Sequence, residues 1–231
     1  MGKLSSTFIL ASGGSGQRFQ NSRVPKQYLR INKIPILMYS LTQVNKLNFI
    51  DEIIIIKNKN IKKEFLCNLL SKYKISKYTL IVDGGKNRFE SVKNAFKEIN
   101  MKNNYTIIHD AVRPNFNFKN LKKMIQQVGT YDGIIPVEKI NSTIKNINNE
   151  KVIKTLSREN LYLSQPPQVF KTSSLLKGYN KVKKINKFTD ESEMLERNGF
   201  KIKSFLNTGD NLKITTKDDL EIFKKLLKEY V

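Results

Sequence analysis

At 231 residues with 39% hydrophobic content, the chain is long enough to bury a single core and too apolar to be wholly disordered. The net charge of +22 invites a nucleic-acid reading. The lysines, however, are spread along the whole chain among Asn and Ile, so no specific nucleic acid is expected as partner. No apolar run approaches the ~20 residues that cross a bilayer, the first residues carry no secretory pattern, and Cys67 is the only cysteine. A cytoplasmic setting without disulfides, and no membrane association, is the expectation.

Thr7–Ala11 reads as a short apolar strand. It runs into the glycine-rich stretch Ser12-Gly13-Gly14-Ser15-Gly16-Gln17-Arg18, followed by Pro25-Lys26-Gln27-Tyr28-Leu29. Glycines after a strand let the backbone approach a ligand closely and turn its N–H groups into an anion-binding nest. Arg18 and Lys26 add fixed positive charge, which suits a polyphosphate. The stretch is neither a Walker A loop nor a dinucleotide fingerprint, since Phe19 stands where the third glycine would be.

Pro35–Val44 opens with Pro at the first helical position and carries helical spacing at Leu37, Leu41 and Val44. Asp51–Ile56 is a β-branched run suited to a buried parallel strand. The alternation continues with helix Ile61–Tyr73, strand Tyr78–Val82 ending in Asp83-Gly84-Gly85, helix Phe89–Ile99, strand Tyr105–Ile108, helix Leu121–Val128 and strand Gly133–Val137. This is the βαβ rhythm of an α/β domain with a mostly parallel sheet covered on both faces. Ligands bind such sheets beyond the carboxyl ends of the strands. The glycine-rich stretch, Asp83–Ser91 and His109–Arg113 should therefore share one edge.

The rhythm breaks between Glu138 and Leu161, where Lys139–Lys145 and Lys151–Leu156 flank the polar stretch Asn146–Glu150 as an extended hairpin. A projecting hairpin of this kind usually packs on something else, often a second subunit. Helices Thr172–Val182 and Asp190–Arg197, strand Phe200–Phe205 and helix Lys217–Tyr230 complete the chain. Thr216 and Asp219 form a capping-box pattern before the last helix. With one histidine, His109, and one cysteine, zinc sites of His and Cys are ruled out. Any catalysis must rest on Lys, Arg, Asp, backbone donors or a hard metal.

Taken in order, several stretches resemble one family over nearly the full length. They are the glycine-rich stretch with Arg18, Pro25–Leu29, Asp83-Gly84-Gly85 with Arg88 and Ser91, His109-Asp110-Ala111-Val112-Arg113-Pro114, Arg158, Gln165–Gln168, Thr189-Asp190-Glu191 and Asn211–Thr215. The family is that of CTP-dependent cytidylyltransferases acting on sugar-alcohol phosphates, with methylerythritol-phosphate and ribitol-phosphate branches.

The resemblance implies a single domain over 1–231 with a Rossmann-like, three-layer nucleotidyltransferase fold, a mostly parallel central sheet and a projecting β-arm. It implies the reaction CTP + polyol phosphate → CDP-polyol + pyrophosphate, with Mg²⁺ as cofactor and a homodimer joined through the arm at 138–161. Arg18, Lys26 and Lys213 would be catalytic. Ser12, Gly13, Gly14, Gly16, Gly85, Arg88, Ser91, Asp110 and Ala111 would bind CTP. Asp110, Arg113, Thr143, Arg158, Thr189 and Lys213 would bind the acceptor, Thr143, Arg158 and Arg113 reaching it in the neighbouring subunit's site. Asp110 would also stand near the metal, held mostly through the CTP phosphates.

Each role has a plainer counterpart. Asp110 and Arg113 could pair across a loop, Thr189 could cap the helix from Asp190, His109 could pack locally, and Gln165–Gln168 could be a rigid turn supporting the site. Ser142, Lys86, Val112 and the spacing from Arg18 to Lys26 depart from the common erythritol-phosphate pattern and leave ribitol 5-phosphate, or another polyol phosphate, as the alternative acceptor. A basic nucleic-acid-binding module is the rival in a different class.

Overall fold

The computed structural model describes residues 4–14, 24–182 and 188–229. The strands and helices run β1 (Ser6–Ser12), β2 (Arg30–Ile31), β3 (Ile34–Pro35), α1 (Ile36–Asn45), β4 (Ile50–Lys57), α2 (Lys63–Lys72), β5 (Tyr78–Asp83), α3 (Arg88–Lys97), β6 (Tyr105–Asp110), α4 (Asn120–Val128) and β7 (Gly133–Lys139). They continue with β8 (Ile144–Asn148), β9 (Lys151–Leu156), β10 (Tyr162–Ser164), β11 (Gln168–Lys171), α5 (Thr172–Lys181), α6 (Glu191–Arg197), β12 (Ile202–Leu206) and α7 (Lys217–Glu229).

The central sheet has the order β10-β7-β11-β6-β1-β4-β5, with β12 also paired to β7. Strands β6, β1, β4 and β5 are mutually parallel, as are β12 and β7. The antiparallel members are β10 and β11. Neither was expected from the sequence, which offered Gln165–Gln168 as a rigid turn; Gln168 instead begins β11.

Strand alternation explains the layers. Phe8 and Leu10 face one side with Leu37, Leu41, Leu66, Leu121 and Met124 of α1, α2 and α4. Ile9 faces the other with Phe89, Val92 and Phe96 of α3, Leu175 of α5, and Met194 and Leu195 of α6. Because β4 is covered on both faces, Ile53–Ile56 are fully buried, which is why its sequence is a continuous apolar run.

Three expectations are corrected at element ends. Pro35 lies before α1, not in its first turn: its ψ is 141° and it pairs with Arg30 in the small β2–β3 hairpin. Asp190, not Thr189, caps α6, its side chain accepting from Glu193 N. The arm's first strand starts at Ile144, because Lys139 still belongs to β7. At the last helix the expected capping box forms: Asp219 accepts from Thr216 N at 2.8 Å, and Thr216 Oγ1 accepts from Asp219 N at 3.2 Å.

Strands β8 and β9 form a two-stranded sheet of their own, joined by a two-residue turn at Asn149 and Glu150 with φ of 45° and 66°. Among the described residues, no helix is long and apolar enough to cross a membrane.

Candidate active site

Parallel strands in register end at one level. Ser12 lies beside Lys57, Lys57 beside Asp83, and Ala11 beside Asp110. The chain leaves this edge as Gly13-Gly14 after β1, Asn58 after β4 and Gly84-Gly85 after β5, and the turns enclose a cleft of about 610 Å³. Crowding is tight at Gly13 and prohibitive at Gly85. A Cβ on Gly13 would stand 3.2 Å from Ile56 Cγ2, and one on Gly85 only 2.6 Å from Glu90 Cβ.

The second turn is welded to the start of α3. Gly85 N donates to Ser91 Oγ at 2.9 Å, and Ser91 Oγ donates to Asn87 O at 2.7 Å. Asn87 Oδ1 accepts from Glu90 N at 2.8 Å and caps the helix. Lys86 N donates to Glu90 Oε2 at 2.6 Å. The N-terminus of a ten-residue helix is thus fixed on the cleft wall, with Arg88 as its first residue.

The charge balance in the cleft is lopsided. Among the described residues its lining carries five cationic side chains, Lys26, Lys59, Lys86, Arg88 and Lys213, against the single carboxylate of Asp110. Asp110 Oδ1 lies 3.5 Å from Arg88 Nε, and Oδ2 lies 3.4 Å from Lys213 Nζ. Burial works against its ionisation, but Arg88 and Lys213 outweigh burial and draw its pKa down to about 2. On its far side Arg88 donates to Glu191 Oε2 at 2.8 Å. Burial opposes the Arg88 charge, yet Glu191 and Asp110 together hold it protonated. Glu191 is fully buried, which pushes its carboxyl up against the pull of Arg88.

The structure thus brings Ser12, Gly13, Gly14, Lys26, Gly85, Arg88, Ser91, Asp110 and Lys213 around one cleft. Gly16 and Arg18 lie outside the described residues. Ala111 is fully buried and gives its N–H to Ala11 O, so it supports the edge without lining it.

The remaining candidates stand elsewhere. Arg113 does not pair with Asp110; its Nη1 donates to Asn211 O at 2.5 Å. Thr143 and Arg158 are exposed around the arm, and Arg158 donates to Asn141 O. Thr189 donates through N and Oγ1 to Glu193 Oε2 at 2.6 and 2.8 Å. His109 is fully buried against Phe8, Phe116 and Phe118, with Nε2 at 2.9 Å from Arg113 O. Burial lowers its pKa to about 4, so at neutral pH the imidazole is uncharged and Nε2 donates to that carbonyl. Gln165 ties the site's rear together, accepting from Asn207 and Asn211 and donating to Glu138.

Sequence reasoning assigned no role to Glu191 or Asn58. Glu191 stood within Thr189-Asp190-Glu191 without a role of its own, because an acid in the first turn of a helix ordinarily faces solvent. Asn58 offered no pattern.

The fit to a hard cation can be judged from the donors. Among the described residues no three His, Cys, Asp or Glu side chains cluster as a metal cage. One ionised carboxylate in a phosphate-sized cleft is the donor set Mg²⁺ takes when substrate phosphates supply its other ligands.

The family model for 2-C-methyl-D-erythritol 4-phosphate cytidylyltransferase matches residues 7–229. The chain is 36% identical to the enzyme of that name from Clostridium botulinum, covering 96% of each chain. It is 38% identical to a bifunctional IspD/IspF enzyme of Pelagibacter ubique over 97% of its own length, spanning 58% of that longer relative. Among solved structures, 4-diphosphocytidyl-2C-methyl-D-erythritol synthase of Anaerococcus prevotii superposes with a TM-score of 0.84 at 25% identity, covering 98% of this chain and 100% of that one. The Francisella tularensis 2-C-methyl-D-erythritol 4-phosphate cytidylyltransferase does so with a TM-score of 0.76 at 27% identity, covering 96% and 99%.

Proposed function

The chain belongs to the 2-C-methyl-D-erythritol 4-phosphate cytidylyltransferase family, and on that premise we propose that its cleft joins CTP to 2-C-methyl-D-erythritol 4-phosphate, releasing pyrophosphate. It is a CTP-dependent nucleotidyltransferase of isoprenoid precursor synthesis. The observation that carries the site assignment is the placing of Lys213, Asp110 and Arg88 on the same cleft as Lys26 and the Ser12–Gly14 turn.

In the reaction an acceptor phosphate oxygen attacks the α-phosphorus of CTP. A new P–O bond forms as the bond between the α-phosphorus and the bridging oxygen breaks, and the electron pair leaves with pyrophosphate. Both reactants are anions, so alignment and charge neutralisation are the protein's chief tasks. Lys26, with Arg18, takes up charge that accumulates on the leaving pyrophosphate. Lys213, steered by Asp110, sits between the α-phosphate and the incoming phosphate. Gly85 and Ser91 shape the wall against which the cytosine rests. Mg²⁺ would be held by Asp110 and CTP phosphate oxygens, supplying further neutralisation.

The arm is the dimerisation element in this reading. Ile147, Val152, Ile153, Tyr162 and Leu163 are exposed on and beside it, apolar surface that a second subunit would cover. Arg158 and Thr143, remote from their own cleft, then serve the partner's acceptor subsite, where a guanidinium can grip a phosphate with two N–H groups.

The test is pyrophosphate release from CTP with a panel of acceptors. Turnover with 2-C-methyl-D-erythritol 4-phosphate well above that with ribitol 5-phosphate supports the reading. Equal or higher turnover with ribitol 5-phosphate overturns the choice of acceptor, and no CTP-dependent release with any polyol phosphate overturns the reading.

A further inference from the structure

Three successive carbonyl groups at the mouth of the cleft are each held by a side-chain amide. Gln27 Nε2 donates to Ser12 O at 2.6 Å and to Gly14 O at 2.9 Å, spending both its hydrogens on alternate residues of one turn. Asn58 Nδ2 donates to Gly13 O at 3.0 Å. The Asn58 amide cannot be turned round, because its Oδ1 accepts from Asn60 N at 3.0 Å. Gln27 is 2% exposed and belongs to the short 3₁₀ turn Lys26–Tyr28. Asn58 follows β4.

We propose that Gln27 and Asn58 are positioning residues forming a paired amide clamp that fixes the Ser12–Gly14 turn, and with it Lys26, for the triphosphate. The inference rests on the CTP reading above. A trans peptide points each carbonyl opposite to the N–H that follows it. Capturing Ser12 O and Gly13 O therefore fixes the directions of the Gly13 and Gly14 N–H groups. Glycines alone would leave those peptide planes free to rotate and turn carbonyl oxygens toward the phosphates. The clamp removes that freedom and ties three partial negative charges to donors. Gln27 also anchors the turn bearing Lys26 directly to the end of β1. The Ser12–Gly14 turn and the turn bearing Lys26 thereby become one rigid body.

The test compares Gln27→Met, which keeps volume and loses both donors, with Asn58→Ala, by steady-state kinetics with CTP and acceptor varied in turn. Losing two hydrogen bonds from the clamp raises the KM for CTP in Gln27→Met by about tenfold, and losing one raises it about threefold in Asn58→Ala. The acceptor KM stays near wild type in both, and circular dichroism shows a native fold. Wild-type CTP KM and kcat in both folded variants overturn the clamp, as does an equal loss for both substrates. Should Gln27→Met fail to fold, the Asn58→Ala result decides alone. Calorimetric titration of wild-type protein with CTP separates the two levels: no CTP binding there defeats the nucleotide reading itself, and the clamp's role with it.

Discussion

Arg88 and Glu191, 103 residues apart in sequence, meet at 2.8 Å behind the Asp110 carboxylate. Arg88 is thereby held between two acids, one facing the cleft and one fully buried on α6. The pair joins the first turn of α3 to the first turn of α6 and sets where the charge on Asp110 stands. Glu191→Ala is expected to destabilise the protein by about 3 kcal/mol, the lower end for a broken buried pair, because Asp110 still partners Arg88. Glu191→Gln keeps an acceptor and should lose about 1 kcal/mol. Urea midpoints at constant m-value measure both.

Lys213→Ala and Lys26→Ala should each lower kcat by about 10²–10³-fold, the usual effect of removing one group that stabilises transition-state charge. Lys213 is 44% exposed at its side chain, so its removal should shift stability by no more than about 0.5 kcal/mol. Single-turnover pyrophosphate release, together with thermal melts, separates the two effects. Wild-type rates in both variants would discard the mechanism.

Acid sensitivity should come from two neighbours with different windows. His109, lowered to about 4 in the folded state, is neutral while the unfolded imidazole takes up a proton below about 6.5. The unfolded state binds more protons in that interval, so stability falls as pH drops from about 6.5 to 4, by about 3 kcal/mol in total. Asp110, held near 2, adds a second loss that begins below its unfolded value of 3.8 and continues toward 2. His109→Phe, entering an aromatic pocket, should flatten the upper slope and leave the lower one. Urea unfolding at pH 4.5 and 7.5 reads the difference.

If Arg158 serves the neighbouring cleft, Arg158→Ala should raise the acceptor KM and leave the CTP KM unchanged. Mixing that variant with Lys213→Ala should restore about a quarter of wild-type activity, since half the dimers are mixed and each holds one intact site. No recovery after subunit exchange would refute the crossing arm.

The alternating core and the shared strand edge were readable because each depends on local pattern. The apolar runs Thr7–Ala11 and Asp51–Ile56 required no knowledge of distant residues. The antiparallel strands β10 and β11 were hidden: Tyr162–Ser164 is short and exposed, and Gln168 directly follows two prolines that read as a turn. The cap of α6 was misplaced by one residue because Thr189 and Asp190 are both good caps, and the partner that helps hold the second in place, Gln168 donating to Asp190 Oδ2 at 2.8 Å, is distant in sequence. The burial of Glu191 and the grip of Gln27 on Ser12 and Gly14 arise from tertiary packing, which residue type does not encode.

The hairpin of β8 and β9 hydrogen-bonds only to itself among the described strands, outside the main sheet. Its backbone can therefore open without disturbing the eight-stranded core. If the arm joins two subunits as proposed, deuterium uptake in residues 144–156 becomes a gauge of that association, slowing as protein concentration rises while uptake in β1 and β4 keeps one pace at every dilution.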